Sequence, residues 1–192
     1  FSKEACLLKT VAVNSIYGTQ LLAFVRMAQH IEKVLANKRV KAADVSIVEQ
    51  IAALPAESNG KTRRATSFAS KFCHFFLDAE KFPIYDEAAR DTIAMHLGRE
   101  NCRADKAKPY LAFCENFKHL RVTAGVKCTT KQLDSYLWLV GMYLRWRKEE
   151  AKAFQRVNAE LRQMFLKPTK SFADAFAKML PAELAKGYHP EL

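Results

Sequence analysis

Asp86 is the residue best placed to do chemistry. It follows a Pro-containing turn, Phe82-Pro83-Ile84-Tyr85, and stands at the mouth of a helix. One reading is a helix N-cap, its carboxylate accepting amide hydrogen bonds and complementing the helix dipole. The other adds a second role, in which a carboxylate facing an open groove stabilises cationic charge or acts as a base. The two are compatible. Lys61, Arg63 and Arg64 follow Gly60 in a turn-rich stretch and suit phosphate contact or simple solvation. Trp146, flanked by Arg145 and Arg147, suits base stacking with cations on the phosphates, or a core position with its arginines in water.

Other chemistries lack their residues. The histidines His30, His74, His96, His119 and His189 show no metal-ligand spacing, and His74 among phenylalanines reads as a packed core residue. There is no Gly-x-Ser-x-Gly elbow. Gly60-Lys61-Thr62 has the end of a phosphate loop without its earlier glycine or strand. The cysteines Cys6, Cys73, Cys102, Cys114 and Cys128 are odd in number with no Cys-x-x-Cys, which argues against a disulfide framework or zinc knuckle. They suit buried free thiols in a reducing compartment, cytoplasmic or nucleoid/nuclear. No metal and no cofactor are expected.

The elements that must hold these residues are helical. Thirteen Phe and a hydrophobic content of 49% supply an aromatic core, and six Gly with six Pro leave few turns. Spacings of three and four predict helices over 3–13, 16–36, 44–54, 66–77, 86–97, 105–120, 129–147, 149–166 and 171–180. Thr66 or Ser67 is expected to cap the fourth, and Gly98 to follow the fifth. Strands are expected to be few or absent. The chain reads as one all-α domain over 1–192, without a span of the ~20 apolar residues a membrane requires. A net charge of +11 favours a polyanion, namely DNA, RNA or an anionic membrane surface, and charge alone does not choose among them.

Thr66-Ser67-Phe68-Ala69-Ser70-Lys71-Phe72-Cys73, then Pro83-Ile84-Tyr85-Asp86 and a new helix, resembles the second half of a helix-hairpin-helix DNA glycosylase domain. The resemblance spans Leu54–Leu97, with Leu54-Pro55 where the hairpin begins. It implies a compact multi-helix fold, DNA as partner and Asp86 as catalytic carboxylate in base excision. Ser67 and Lys71 would then lie on the DNA-facing helix. The hairpin departs from the family's Leu-Pro-Gly-x-Gly, reading Leu54-Pro55-Ala56-Glu57-Ser58-Asn59-Gly60. Ser67 occupies the place where bifunctional members carry a nucleophilic Lys, and Lys71 is a turn further on. The resemblance therefore implies a monofunctional hydrolase rather than a Schiff-base lyase. The alternatives are a catalytically inactive nucleic-acid-binding module and a helical protein-interaction subunit.

Overall fold

Apolar residues at helical spacing, separated by short polar breaks, give α-helices and no strand among the described residues. The structure, a computed structural model, describes residues 1–37, 44–55, 64–149 and 157–190. In chain order the helices are α1 (Lys3–Tyr17), α2 (Phe24–Ala36), α3 (Ile47–Ala52), α4 (Thr66–Phe76) and α5 (Glu87–Leu97). They continue with α6 (Pro109–Thr123), α7 (Thr130–Glu149), α8 (Ala159–Leu166), α9 (Lys170–Met179) and α10 (Ala182–Lys186). The all-α expectation therefore holds.

The helix expected over 16–36 is two helices. Gly18 ends α1 in the left-handed region at φ 53°, and the Asn14 Oδ1 accepts from Thr19 Oγ1 (2.7 Å) and Leu21 N (2.9 Å). That side-chain bonding gives the backbone a partner outside the helical ladder, so the chain turns. The apolar spacing across the break is real but belongs to a buried loop residue, Leu21, followed by a fresh helix.

Other boundaries moved for similar local reasons. Asp44 accepts from Ser46 N, and the helix it was expected to open is the shorter α3. Ala65 precedes α4 without a side-chain cap, so Thr66 and Ser67 are its first two residues. Asp105 caps a turn, accepting from Ala107 N and Lys108 N, and Pro109 then starts α6. Thr129 and Gln132 cap α7 reciprocally, each side chain accepting from the other's backbone N–H. Of the helix expected over 149–166, residues 150–156 lie outside the described residues; Asn158 caps α8 through Leu161 N (2.8 Å).

Two apolar clusters organise the packing. The first gathers α1–α6 and the start of α7 around Met27, Ile31, Ile51, Phe68, Phe72, Phe82 and Phe113. The second joins the C-terminal half of α7 to α8, α9 and the residues after α10 around Tyr143, Trp146, Phe165, Phe176 and Tyr188. The two meet along α7, which lies against α5. Gly141 makes that approach possible: a Cβ there would come within 2.6 Å of the Ala88 Cβ and carbonyl oxygen. Thr92 ties the pair by donating from Oγ1 to the Leu137 carbonyl (3.0 Å).

Candidate active site

The turn that carries Asp86 is held residue by residue. His74 on α4 meets the Phe82 carbonyl through Nδ1 at 2.8 Å. Tyr110 on α6 donates its hydroxyl to the Pro83 carbonyl at 3.0 Å. Asp134 on α7 accepts from Ile84 N with both oxygens, at 3.2 and 3.1 Å. Ser70 on α4 accepts from Tyr85 N at 3.0 Å. Pro83 has no N–H to satisfy. A short irregular segment thus has its backbone groups paired by side chains from three helices, as a buried turn requires.

Asp86 sits at the end of that turn. Its Oδ1 accepts from Ala89 N at 2.9 Å and caps α5, as expected. Its Oδ2 lies 3.7 Å from the Lys71 Nζ. The amine also donates to Ser67 Oγ at 3.0 Å and stands 5.9 Å over the Tyr17 ring. Lys71 is almost wholly buried, and that desolvation lowers its pKa, with the nearby Asp86 and Asp134 carboxylates working against the shift. One carboxylate and one buried amine are therefore in direct ionic contact at a helix N-terminus.

These groups line a cleft of about 440 Å³. Tyr17, Phe75 and Trp138 form its aromatic wall, with Lys131 on the rim. Tyr17 stacks on Phe75 at 5.1 Å between ring centroids, and Phe75 and Trp138 remain nearly half exposed. Exposed rings beside an acid suit a planar, uncharged group packed against them, with polar recognition beside it.

Asp134 is the second carboxylate of the site. Burial pushes its pKa up to about 7; the Ile84 N–H opposes that shift, and the neighbouring Asp86 and Glu80 carboxylates reinforce it. His74 lies 3.6 Å from Asp134, but burial lowers its pKa, so the neutral imidazole donates from Nδ1 to the Phe82 carbonyl. The core role read for His74 is the one it plays.

The other sequence candidates divide. Lys71 lines the Asp86 cleft, and Ser67 accepts from its amine without lining the cleft itself. Lys61 and Arg63 lie outside the described residues. Arg64 is engaged: its Nη2 bridges to Glu49 Oε2 at 2.7 Å, and Glu49 Oε1 accepts from Tyr110 N and Leu111 N at the start of α6. Arg64 therefore braces α6 through Glu49. Trp146 is a correction. It is buried in the second cluster, stacked on Phe165 at 5.7 Å, because its position on α7 faces α8, so it presents no ring to a base. Arg145 pairs with Glu87 at 2.6 Å, and Arg147 donates to the Gly187 carbonyl at 3.2 Å. Both tie elements together.

Sequence reasoning missed Asp134, Tyr17 and Trp138. Asp134 carried a signal: an acid beside Leu133 and one turn before Leu137, on the buried side of α7. Tyr17 and Trp138 carried none, since each is one aromatic among many in a Phe-rich chain.

Among the described residues no three metal-ligating side chains gather, and no helix is long and apolar enough to cross a membrane. Residues 1–81 match a family described as an N-terminal domain, HI_0787_N. That match takes in α1–α4 with Lys71 and stops before Asp86. No curated protein and no solved structure matches the chain.

Proposed function

We propose that this chain binds DNA and excises a base from it, as a divergent relative of the helix-hairpin-helix glycosylases acting through Asp86. The observation that carries the reading is the Asp86 carboxylate, fixed at a helix N-terminus on the floor of an aromatic-walled cleft and accompanied by a cation. A flipped nucleotide would place its base against the exposed rings of that cleft. As the base departs with its bonding electrons, positive charge develops on the sugar, and Asp86 is positioned to stabilise it. Water then adds at the sugar carbon and its proton passes to solvent or to the leaving base. The net charge of +11 supplies attraction for the phosphate backbone.

The test is excision from duplex oligonucleotides that each carry one damaged or mismatched base. The wild-type chain should release at least one of them, and Asp86→Asn should lower that rate by about two orders of magnitude or more. Full excision by a folded Asp86→Asn protein would end the assignment. Salt-dependent binding without any excision would leave an inactive nucleic-acid-binding module. Absence of binding at low salt would leave a helical protein-interaction subunit.

A second reading is favoured by Lys71. A buried amine with a lowered pKa, 3.7 Å from a carboxylate, meets the requirements of a Schiff-base nucleophile. It would attack the sugar carbon in place of water, and elimination of the 3′ phosphate would follow. Borohydride added during reaction would then trap a covalent protein–DNA adduct. An adduct that persists in Lys71→Gln would assign the amine elsewhere.

A further inference from the structure

A second cleft, of about 450 Å³, opens on the other side of the turn that carries Asp86. Tyr85 lines this one, whereas its neighbours Ile84 and Asp86 line the first. Its floor is apolar, formed by Ile93, Ala94, Pro109 and Phe113. Its rim carries four cations, Arg90, Arg99, Arg103 and Lys106, against two carboxylates, Asp91 and Asp105. The carboxylates are occupied. Asp105 accepts from Ala107 N and Lys108 N, and Asp91 pairs with Arg99 at 3.8 Å. Arg103 is held in place: its N–H donates to Asn116 Oδ1, and Asn116 Nδ2 donates to its carbonyl, both at 2.8 Å. Its guanidinium pairs with Glu115 at 2.5 Å, which leaves further donors in an exposed side chain. Arg90 lies over the Tyr85 ring at 5.0 Å and donates from Nε to the Asp86 carbonyl at 3.4 Å, which ties this rim to the turn between the two clefts.

We infer that this second cleft is a nucleotide-binding subsite, taking a nucleobase over its apolar floor and the attached phosphate on the Arg90, Arg99, Arg103 and Lys106 rim. A phosphate alone would need the cations but not the floor. An apolar ligand alone would gain nothing from four cations. A nucleotide uses both, since a base offers a flat face to apolar side chains and guanidinium planes, and its phosphate accepts from arginine forks. The turn places the subsite beside the Asp86 cleft, since Tyr85 lines one and its neighbours Ile84 and Asp86 line the other. The occupant is then the next nucleotide of the strand at Asp86, an assignment that rests on the nucleic-acid reading above. A free mononucleotide offers the same chemistry.

The experiment uses the full chain and the double variant Arg99→Gln/Arg103→Gln, whose side chains are exposed and whose fold is checked by circular dichroism. Binding of a fluorescein-labelled 15-nucleotide single strand is measured over a salt series. AMP is titrated while amide shifts of Tyr85, Ala94 and Phe113 are followed by NMR. For a strand, the double variant should bind more weakly, with the slope of log K against log salt reduced by roughly one to two units. For a free nucleotide, AMP should shift those amides in the wild type and not in the variant, with the strand slope unchanged. If the slope is unchanged and AMP leaves those amides in place, the subsite is overturned. Neither readout requires base excision, so loss of the excision assignment would leave this result readable by itself.

Discussion

Around α4 and the turn before α5, the chain surrounds ionisable side chains with protein: Lys71, His74 and Asp134 are each at least nine-tenths buried. Around the C-terminal half of α7 it packs ring on ring, with Tyr143 contacting Trp146, Phe165, Phe176 and Tyr188 at centroid distances of 5.4–5.7 Å. The two regions share one helix and a similar aromatic content, but they differ in what they bury. The aromatic cluster gains from apolar burial and asks for no desolvation of charge. The charged region desolvates an amine, an imidazole and a carboxyl group, and their mutual attraction offsets that cost only in part. A protein built solely for stability would resemble the second region throughout. Buried ionisable groups with shifted pKa values, as in the first, are found in active sites and in structural ion-pair networks alike.

The largest expected effect tests the aromatic half. Phe176 is fully buried and touches Tyr143, Phe165, Phe172 and Tyr188. Phe176→Ala should cost about 3–5 kcal/mol in urea unfolding, from lost burial and the cavity left behind. A cost below about 1 kcal/mol would mean that the rings collapse around the gap and that this region is no better packed than the other.

The charged half should answer to pH instead. The folded-state pKa of Asp134, about 7, lies above its ordinary 3.8. Its protonated form therefore favours the folded state. That contribution is fully present below about pH 4 and is lost as pH rises through 7. Asn keeps an oxygen for the Ile84 N–H and never ionises. Asp134→Asn should thus gain on wild type by about 1–3 kcal/mol between pH 4 and pH 8. Urea midpoints at the two pH values measure it, and a pH-independent difference would show that the carboxyl does not titrate in this window.

The contrast between the regions also explains what is legible in the sequence. Helix type and most helix positions follow from local spacing, and the cap at Asp86 follows from one residue and the turn before it. Arg145-Trp146-Arg147 was misleading because a tripeptide does not say which way its Trp faces; that depends on α8, whose contact with α7 is nonlocal. The break at Gly18 was hidden because Leu21 and Phe24 keep helical spacing across it while Asn14 bonds the turn. Lys71 shows the same limit in the opposite sense. Counting along a helix set it a turn from the expected place, but its four-carbon stem carries the amine back to Ser67 and within reach of Asp86.

The smallest expected stability effect is the most informative about Asp86, because this residue holds both of the roles the comparison separates. As a cap it belongs with the packing; as a free carboxylate it belongs with the chemistry. Asn caps helices about as well as Asp, so the capping share of the change in Asp86→Asn should be no more than about 0.5 kcal/mol. It removes the negative charge, however, and with it the attraction that opposes desolvation at Lys71. The Lys71 pKa should therefore fall further, which NMR titration of the ammonium can follow. Asp86→Ala loses the cap as well and should cost about 1 kcal/mol. If Asn and Ala lose excision alike but Ala loses the more stability, capping and catalysis are separate duties of one side chain. If stability and excision fall together in both variants, the carboxylate serves the site only by holding α5 in place.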